Sequence, residues 1–168
     1  MAGFKSMIRT IGIIVIALVV SLSSFNTSSE AALLGWDLVD NNKHLDWNSD
    51  SKYISSINNA MKLWENYKSG IIRPDTAAER EDVFLTDYMQ VSSTIASTSS
   101  NGIIRFNDYH YADMSNGERL KTTTHEFGHA LGLAHTFGRR DIMRQGKVSI
   151  TKLSSTDKRS YDEAYLTY

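Results

Sequence analysis

The chain has 168 residues, an apolar fraction of 41% and a formal net charge of −1, which fits one globular domain and gives no sign of a nucleic-acid or strongly charged partner. It has no cysteine, so disulfides, thiolate metal ligands and cysteine nucleophiles are excluded. Its stability must come from packing and from any bound metal.

Lys5 and Arg9 supply positive charge ahead of an apolar run at residues 11–22 (IGIIVIALVVSL). A serine-rich stretch then ends in Ser29-Glu30-Ala31-Ala32. Small residues at Ser29 and Ala31 occupy the −3 and −1 positions of a cut after Ala31, the layout of a secretory signal peptide. An uncleaved anchor is the alternative, and the run is short for a membrane span of about 20 residues. The expected division is a signal peptide over 1–31 and one exported domain over 32–168, with no membrane attachment in the mature form.

No internal repeat or long linker breaks the rest. Residues 45–48 predict a short strand. Asp50 or Ser51 is then placed to cap a helix whose stripe of Ile54, Ile57, Met61 and Trp64, with Ala60 beside it, recurs at helical spacing. That helix should end between Asn66 and Gly70. Strands are expected at 71–73, stopped by Pro74, at 82–88, at 91–98 along a sheet edge, and at 103–106. Ser115 and Glu118 have the spacing of a capping box, so a second helix starts there and must stop near Gly132. A last helix is expected over 156–165, packed through Leu153, Tyr161 and Tyr165. A helix, several strands and two more helices make an α+β domain.

Within the second helix, residues 125–135 read HEFGHALGLAH. His125 and His129 are four apart and share a helix face, so two imidazoles can bind one ion. Glu126 is turned about 100° from His125. It borders the ion without binding it, which suits a base acting on water polarised by the metal. A straight helix would carry His135 about 9 Å beyond His129. The chain must therefore double back, and Gly132 supplies the positive φ for that break. Three nitrogen ligands with an open fourth position describe a catalytic zinc site. Buried histidines satisfied by hydrogen bonds would need no such spacing, and this composition yields the five-residue pattern by chance on the order of once per hundred thousand sequences.

The pattern His125, Glu126, His129, Gly132, His135, followed by Asp141-Ile142-Met143, resembles the metzincin clan of zinc metalloproteases, whose signature is H-E-x-x-H-x-x-G-x-x-H and a methionine turn. The resemblance implies a metzincin-like fold: a mixed, twisted sheet, an active-site helix, and a C-terminal helix after the methionine turn. It also implies that Met143 underlies the metal without binding it; a plain core methionine is the other reading. Within the clan the chain is most similar to a small matrixin catalytic domain of the bacterial type, through the short His135 to Met143 spacing and the tail from Leu153 to Tyr165. That likeness implies that Asp157 hydrogen-bonds near the methionine turn, against the alternative of an ordinary first-turn helix residue. It further implies that residues 94–98 form the edge strand that pairs with an extended polypeptide substrate.

Other features depart from vertebrate matrixins. Without cysteine no cysteine-bearing propeptide can block the zinc. Only His44 and His110 remain outside the motif, so a second, structural zinc is not expected. Asn107, Asp108, His110 and Asp113 are oxygen- and nitrogen-bearing candidates for a Ca²⁺ loop, or a solvated loop that caps the next helix. The function implied is a secreted, monomeric zinc endopeptidase with one catalytic Zn²⁺ and Glu126 as general base. Two alternatives remain: an inactive secreted zinc-binding adhesion or interaction module, and a metallopeptidase of another clan whose third ligand is Glu163. The pocket beside the scissile bond depends on residues 144–150, whose shape the sequence does not define.

Overall fold

The computed structural model describes residues 31–76 and 80–168. The expected signal peptide, apart from Ala31, lies outside the described residues. Among those residues no helix is long and apolar enough to cross a membrane.

The elements run β1 (Leu45–Ser49), α1 (Ile54–Glu65), β2 (Ile72–Pro74), β3 (Val83–Tyr88), β4 (Ala96–Ser99), β5 (Ile103–Asn107), α2 (Asp108–Tyr111), α3 (Asn116–Ala130) and α4 (Ser155–Tyr165). The strands form one sheet in the order β2-β1-β3-β5-β4. Three neighbouring pairs are parallel, and β4 alone runs antiparallel, against β5. This is a mixed sheet in an α+β domain, consistent with a metzincin-like fold.

Helices α1 and α3 pack side by side, with α1 reaching β2 and α3 reaching β4. Between them and the sheet lies the core. Leu45, Val83, Leu85, Ile104 and Phe106 come from the strands, Ile57, Ala60 and Trp64 from α1, and Phe127 and Ala130 from α3. Each large side chain fully buried there contributes about 1.5–3 kcal/mol. Trp64 also donates its indole N–H to the Thr124 carbonyl at 3.0 Å, which ties α1 to the turn of α3 just before His125. From the other side, Tyr161 of α4 meets Trp64 edge-on, with ring centroids 5.3 Å apart.

Several local expectations change. Helix α1 is capped by neither Asp50 nor Ser51. It starts after Tyr53, which makes no side-chain cap, because Ser51 Oγ spends its hydrogen on Asp87 at 2.6 Å and accepts the Tyr53 N–H at 3.0 Å. Ile54 lies at the start of α1 and is exposed, while Ile57, Ala60 and Trp64 carry the buried stripe. Pro74 ends inside β2 rather than before it. An edge strand tolerates proline because one side of its ladder is unpaired. The edge strand expected over 91–98 shrinks to β4, since the backbone before it is bonded by the Asn107 side chain instead of a ladder. Within 107–113, Asn107 and Tyr111 are fully buried and 108–111 form one helical turn capped by the Asn107 side chain, while Tyr109, Ala112 and Asp113 are exposed.

Candidate metal centre

Helix α3 opens with the expected capping box, Ser115 and Glu118 each bonding the other's backbone N–H. It ends at Ala130, and Gly132 takes φ +83°. That left-handed residue reverses the chain. The returning segment is then pinned from both sides. Leu34 N–H donates to the Gly132 carbonyl at 2.7 Å and Ala134 N–H to the Ala32 carbonyl at 2.9 Å, while Thr136 N–H reaches the Met143 carbonyl at 3.0 Å. His135 is thereby carried back beside His129.

The result is a cluster of three imidazoles. Nε2 of His129 lies 3.1 Å from Nε2 of His125 and 3.1 Å from Nε2 of His135. Nδ1 of His125 faces the Ile142 carbonyl at 2.8 Å, and Nδ1 of His129 faces the Leu133 carbonyl at 2.8 Å. A carbonyl only accepts, so both Nδ1 atoms carry the hydrogen and both Nε2 atoms are bare acceptors. Bare nitrogens held that close repel unless a cation sits between them. Tetrahedral zinc with bonds of 2.0–2.1 Å separates its nitrogens by about 3.3 Å, so the donor set fits that ion. Among the described residues this is the one group of three or more His, Asp or Glu side chains converged to hold a metal. Glu163 is exposed on α4 and His44 and His110 lie elsewhere; none joins it.

Burial holds the His125 ring well below the ordinary imidazole pKa, with Lys121 acting in the same direction. It pushes His129 down to about 4, against the Leu133 carbonyl, and also lowers His135. All three favour the neutral form that binds metal.

Glu126 is buried next to this cluster. Desolvation raises its carboxyl to about 7, opposed by the Thr98 hydroxyl and by Lys121. Thr98 Oγ1 is 2.7 Å from Glu126 Oε2, so the edge strand β4 holds the carboxylate in place. A dication at the imidazoles would favour the charged form further.

Beneath the site, Met143 is fully buried. Any Cβ at Gly128 would run into its sulfur, so the glycine between the two helical histidines gives the methionine its room. Asp157 is also fully buried. Its carboxylate accepts from Ile142 N–H at 2.9 Å, Met143 N–H at 3.1 Å and Ser154 N–H at 2.8 Å. It therefore caps α4 and holds the 142–143 turn at once. Sequence reasoning missed the capping box it forms with Ser154, although the S-x-x-D spacing is its signal.

A cavity of about 480 Å³ opens between β4 and α3, with His125, Glu126, His129 and His135 in its wall. Its rim, residues 93–95, is organised by Asn107. The Asn107 amide donates to the Gln90 and Thr94 carbonyls at 2.8 and 2.9 Å, and its oxygen accepts from Gln90 N–H at 3.0 Å. His110 contacts the Ser92 carbonyl at 2.6 Å. Asp108 is engaged by Lys52 and by Tyr53. No sequence signal marked these roles of Thr98, Asn107 or Lys121.

Comparison with known families matches residues 60–166 to the model of the Peptidase M43 family, described as pregnancy-associated plasma protein-A. No curated protein matches the chain.

Proposed function

This chain belongs to the Peptidase M43 family, a zinc metallopeptidase family of the metzincin clan, and on that premise we propose that it is a zinc-dependent endopeptidase exported from the cell. The observation that carries this reading is the meeting of three imidazoles, with Nε2 separations of 3.1 Å about His129, beside a buried carboxylate.

His125, His129 and His135 would hold the ion. Bound there, zinc supplies Lewis acidity toward water and the scissile carbonyl. Three neutral ligands leave its charge undiminished. Glu126 takes the proton from the attacking water and hands it to the departing amine. Thr98 orients that carboxylate. Ile142 and Leu133 carbonyls fix the rings of His125 and His129. Met143 and Asp157 support the floor of the site.

The free edge of β4 borders the cavity, so an extended polypeptide would add there as a further strand, running its scissile bond past Glu126. The narrower likeness to matrixins rests on the His135 to Met143 spacing and the tail through Asp157 to Tyr165. Export rests on the charged start and the apolar run at 11–22. The mature domain would act as a monomer.

Digestion of casein or gelatin tests the activity. Cleavage by purified protein should stop with a chelator and return with added zinc. Protein that carries zinc and cuts neither substrate, nor a diverse peptide library, would refute the enzyme and leave a zinc-binding module.

A further inference from the structure

We propose that Lys121 makes the cleft selective for substrates with an acidic side chain, Asp or Glu, next to the bond that is cut. This rests on the peptidase reading above and names its substrate class.

Lys121 lies on α3 one turn before His125 and on the same helix face. It is only 2% exposed, which is rare for lysine. Its ammonium donates to the Arg144 carbonyl at 2.5 Å and to the Gly146 carbonyl at 3.3 Å. An ammonium has three donors, and among the described residues the third has no partner. Nor does any described carboxylate come within ion-pair distance of it. Glu126 and Asp157 act on it only from further away, and Arg144 adds like charge nearby.

The same residue lines the cavity, with Thr122, Gln145 and Gly146 beside it and the histidine cluster in the same wall. A peptide held along β4 therefore brings a side chain toward a buried, incompletely partnered cation. Burial lowers its pKa to about 8, and a carboxylate seated beside it would favour the charged ammonium. A carboxylate seated there would complete the hydrogen bonding and neutralise the charge through a charge-assisted hydrogen bond. An amide of the same shape leaves the charge unbalanced. Clamping the 144–146 loop needs only the two carbonyl bonds, and a clamp alone would not distinguish glutamate from glutamine.

The test uses zinc-loaded protein and matched peptides with Glu, Gln, Asp, Asn or Leu at each position flanking the cut. At one position the acid should exceed its amide by roughly tenfold or more in kcat/KM. Lys121→Met should reduce that ratio to near unity while Leu peptides are still cut; Lys121→Arg should keep it. Equal cleavage of acid and amide by the parent protein overturns the proposal, as does an acid preference that survives Lys121→Met. If Lys121→Met fails to fold, Lys121→Gln, which keeps donors for the 144–146 carbonyls but carries no charge, decides by the same ratio. Should neither these peptides nor casein, gelatin or a diverse peptide library be cut, the peptidase reading fails. Anisotropy with the same labelled peptides then tests the pocket alone: tighter binding of the acid supports it, and equal binding overturns it.

Discussion

The Thr98 hydroxyl stands 2.7 Å from Glu126 Oε2, linking the last strand of the sheet to the carboxylate beside the histidine cluster. The contact spans 28 positions of sequence and fixes a buried group that has a negative charge to stabilise. Thr98→Val keeps the shape and removes the donor. A hydrogen bond to a charged group contributes about 1.5–3 kcal/mol. At neutral pH, kcat/KM should fall by about tenfold or more, with zinc content unchanged. The acid limb of the pH profile should move to higher pH, since the lost bond favoured the ionised form. Thr98→Ser should restore both. An unmoved acid limb in Thr98→Val would show that the hydroxyl does not act on the base.

Glu126→Gln leaves the side-chain volume in place and removes the proton acceptor. The buried amide can still meet Thr98. Activity should drop by about 10²–10⁴-fold, while metal analysis still finds one zinc per chain. Comparable rates for the Glu126→Gln variant and the parent would transfer the base role elsewhere.

His135 is exposed, whereas His125 is buried in α3 and His129 is partly buried. The ligands should therefore differ in their effect on the fold. His135→Ala should lower zinc affinity strongly yet hardly change the melting temperature of metal-free protein. His129→Ala should lose zinc and also the ring packed against the Leu133 carbonyl. Titration with a zinc indicator and thermal melts in excess chelator separate these effects. Undiminished zinc affinity in His135→Ala would remove it from the ligand set.

The zinc motif, the Ser115 capping box and the strands at 83–88 and 103–107 are legible because each is a local pattern: a ligand spacing, a cap, a run of apolar residues. Residues 125–143 carry features common to the clan, so they lead to metzincins and, through spacing, to matrixins; the family match comes from a longer stretch, residues 60–166. What stays hidden depends on residues brought together by the sheet. Asn107 reads as a polar loop residue, yet it is fully buried because its side chain substitutes for a ladder beside residues 90–94. The serine- and threonine-rich stretch before β4 has strand-like composition, but its backbone groups bond to that side chain. One helical turn at 108–111 is too short for periodicity to show.

In metal-free protein the histidines make stability depend on pH. His129 has a folded pKa of about 4, below its unfolded value of about 6.5. Between those values the unfolded chain binds more protons, so stability rises with pH across this window and is lost on acidification from about 6.5 toward 4. His129 alone accounts for a change of the order of 3 kcal/mol, and His125, shifted the same way by burial, adds to it. Glu126, whose buried carboxyl is raised from 4.5 to about 7, works the opposite way across the same window, so chemical denaturation of chelated Glu126→Gln at pH 7 and pH 5 isolates the histidines. Equal stability of that variant at the two pH values would mean that neither ring is held neutral.

One residue links the start of α4 to the metal ligands. Ile142 donates its N–H to Asp157 Oδ2 at 2.9 Å, and its carbonyl accepts the His125 Nδ1 hydrogen at 2.8 Å. Asp157 bonds Met143 N–H and Ser154 N–H as well, so three donors converge on one buried carboxylate. Asp157→Asn puts an NH₂ group against at least one of them. Leaving a buried donor unsatisfied costs about 1–3 kcal/mol, and the cost falls on the turn that aims the His125 ring. Loss of such outer support typically weakens metal binding by about 10–100-fold. The expected outcome is lower thermal stability together with about that loss of zinc affinity, both measured on the same preparation. Ser154→Ala removes the reciprocal cap from α4 but leaves the carboxylate bonded to Ile142. It should lower stability by about 1 kcal/mol with zinc affinity nearly unchanged. If Ser154→Ala weakens zinc as much as Asp157→Asn, the coupling runs through α4 as a whole and not through Ile142.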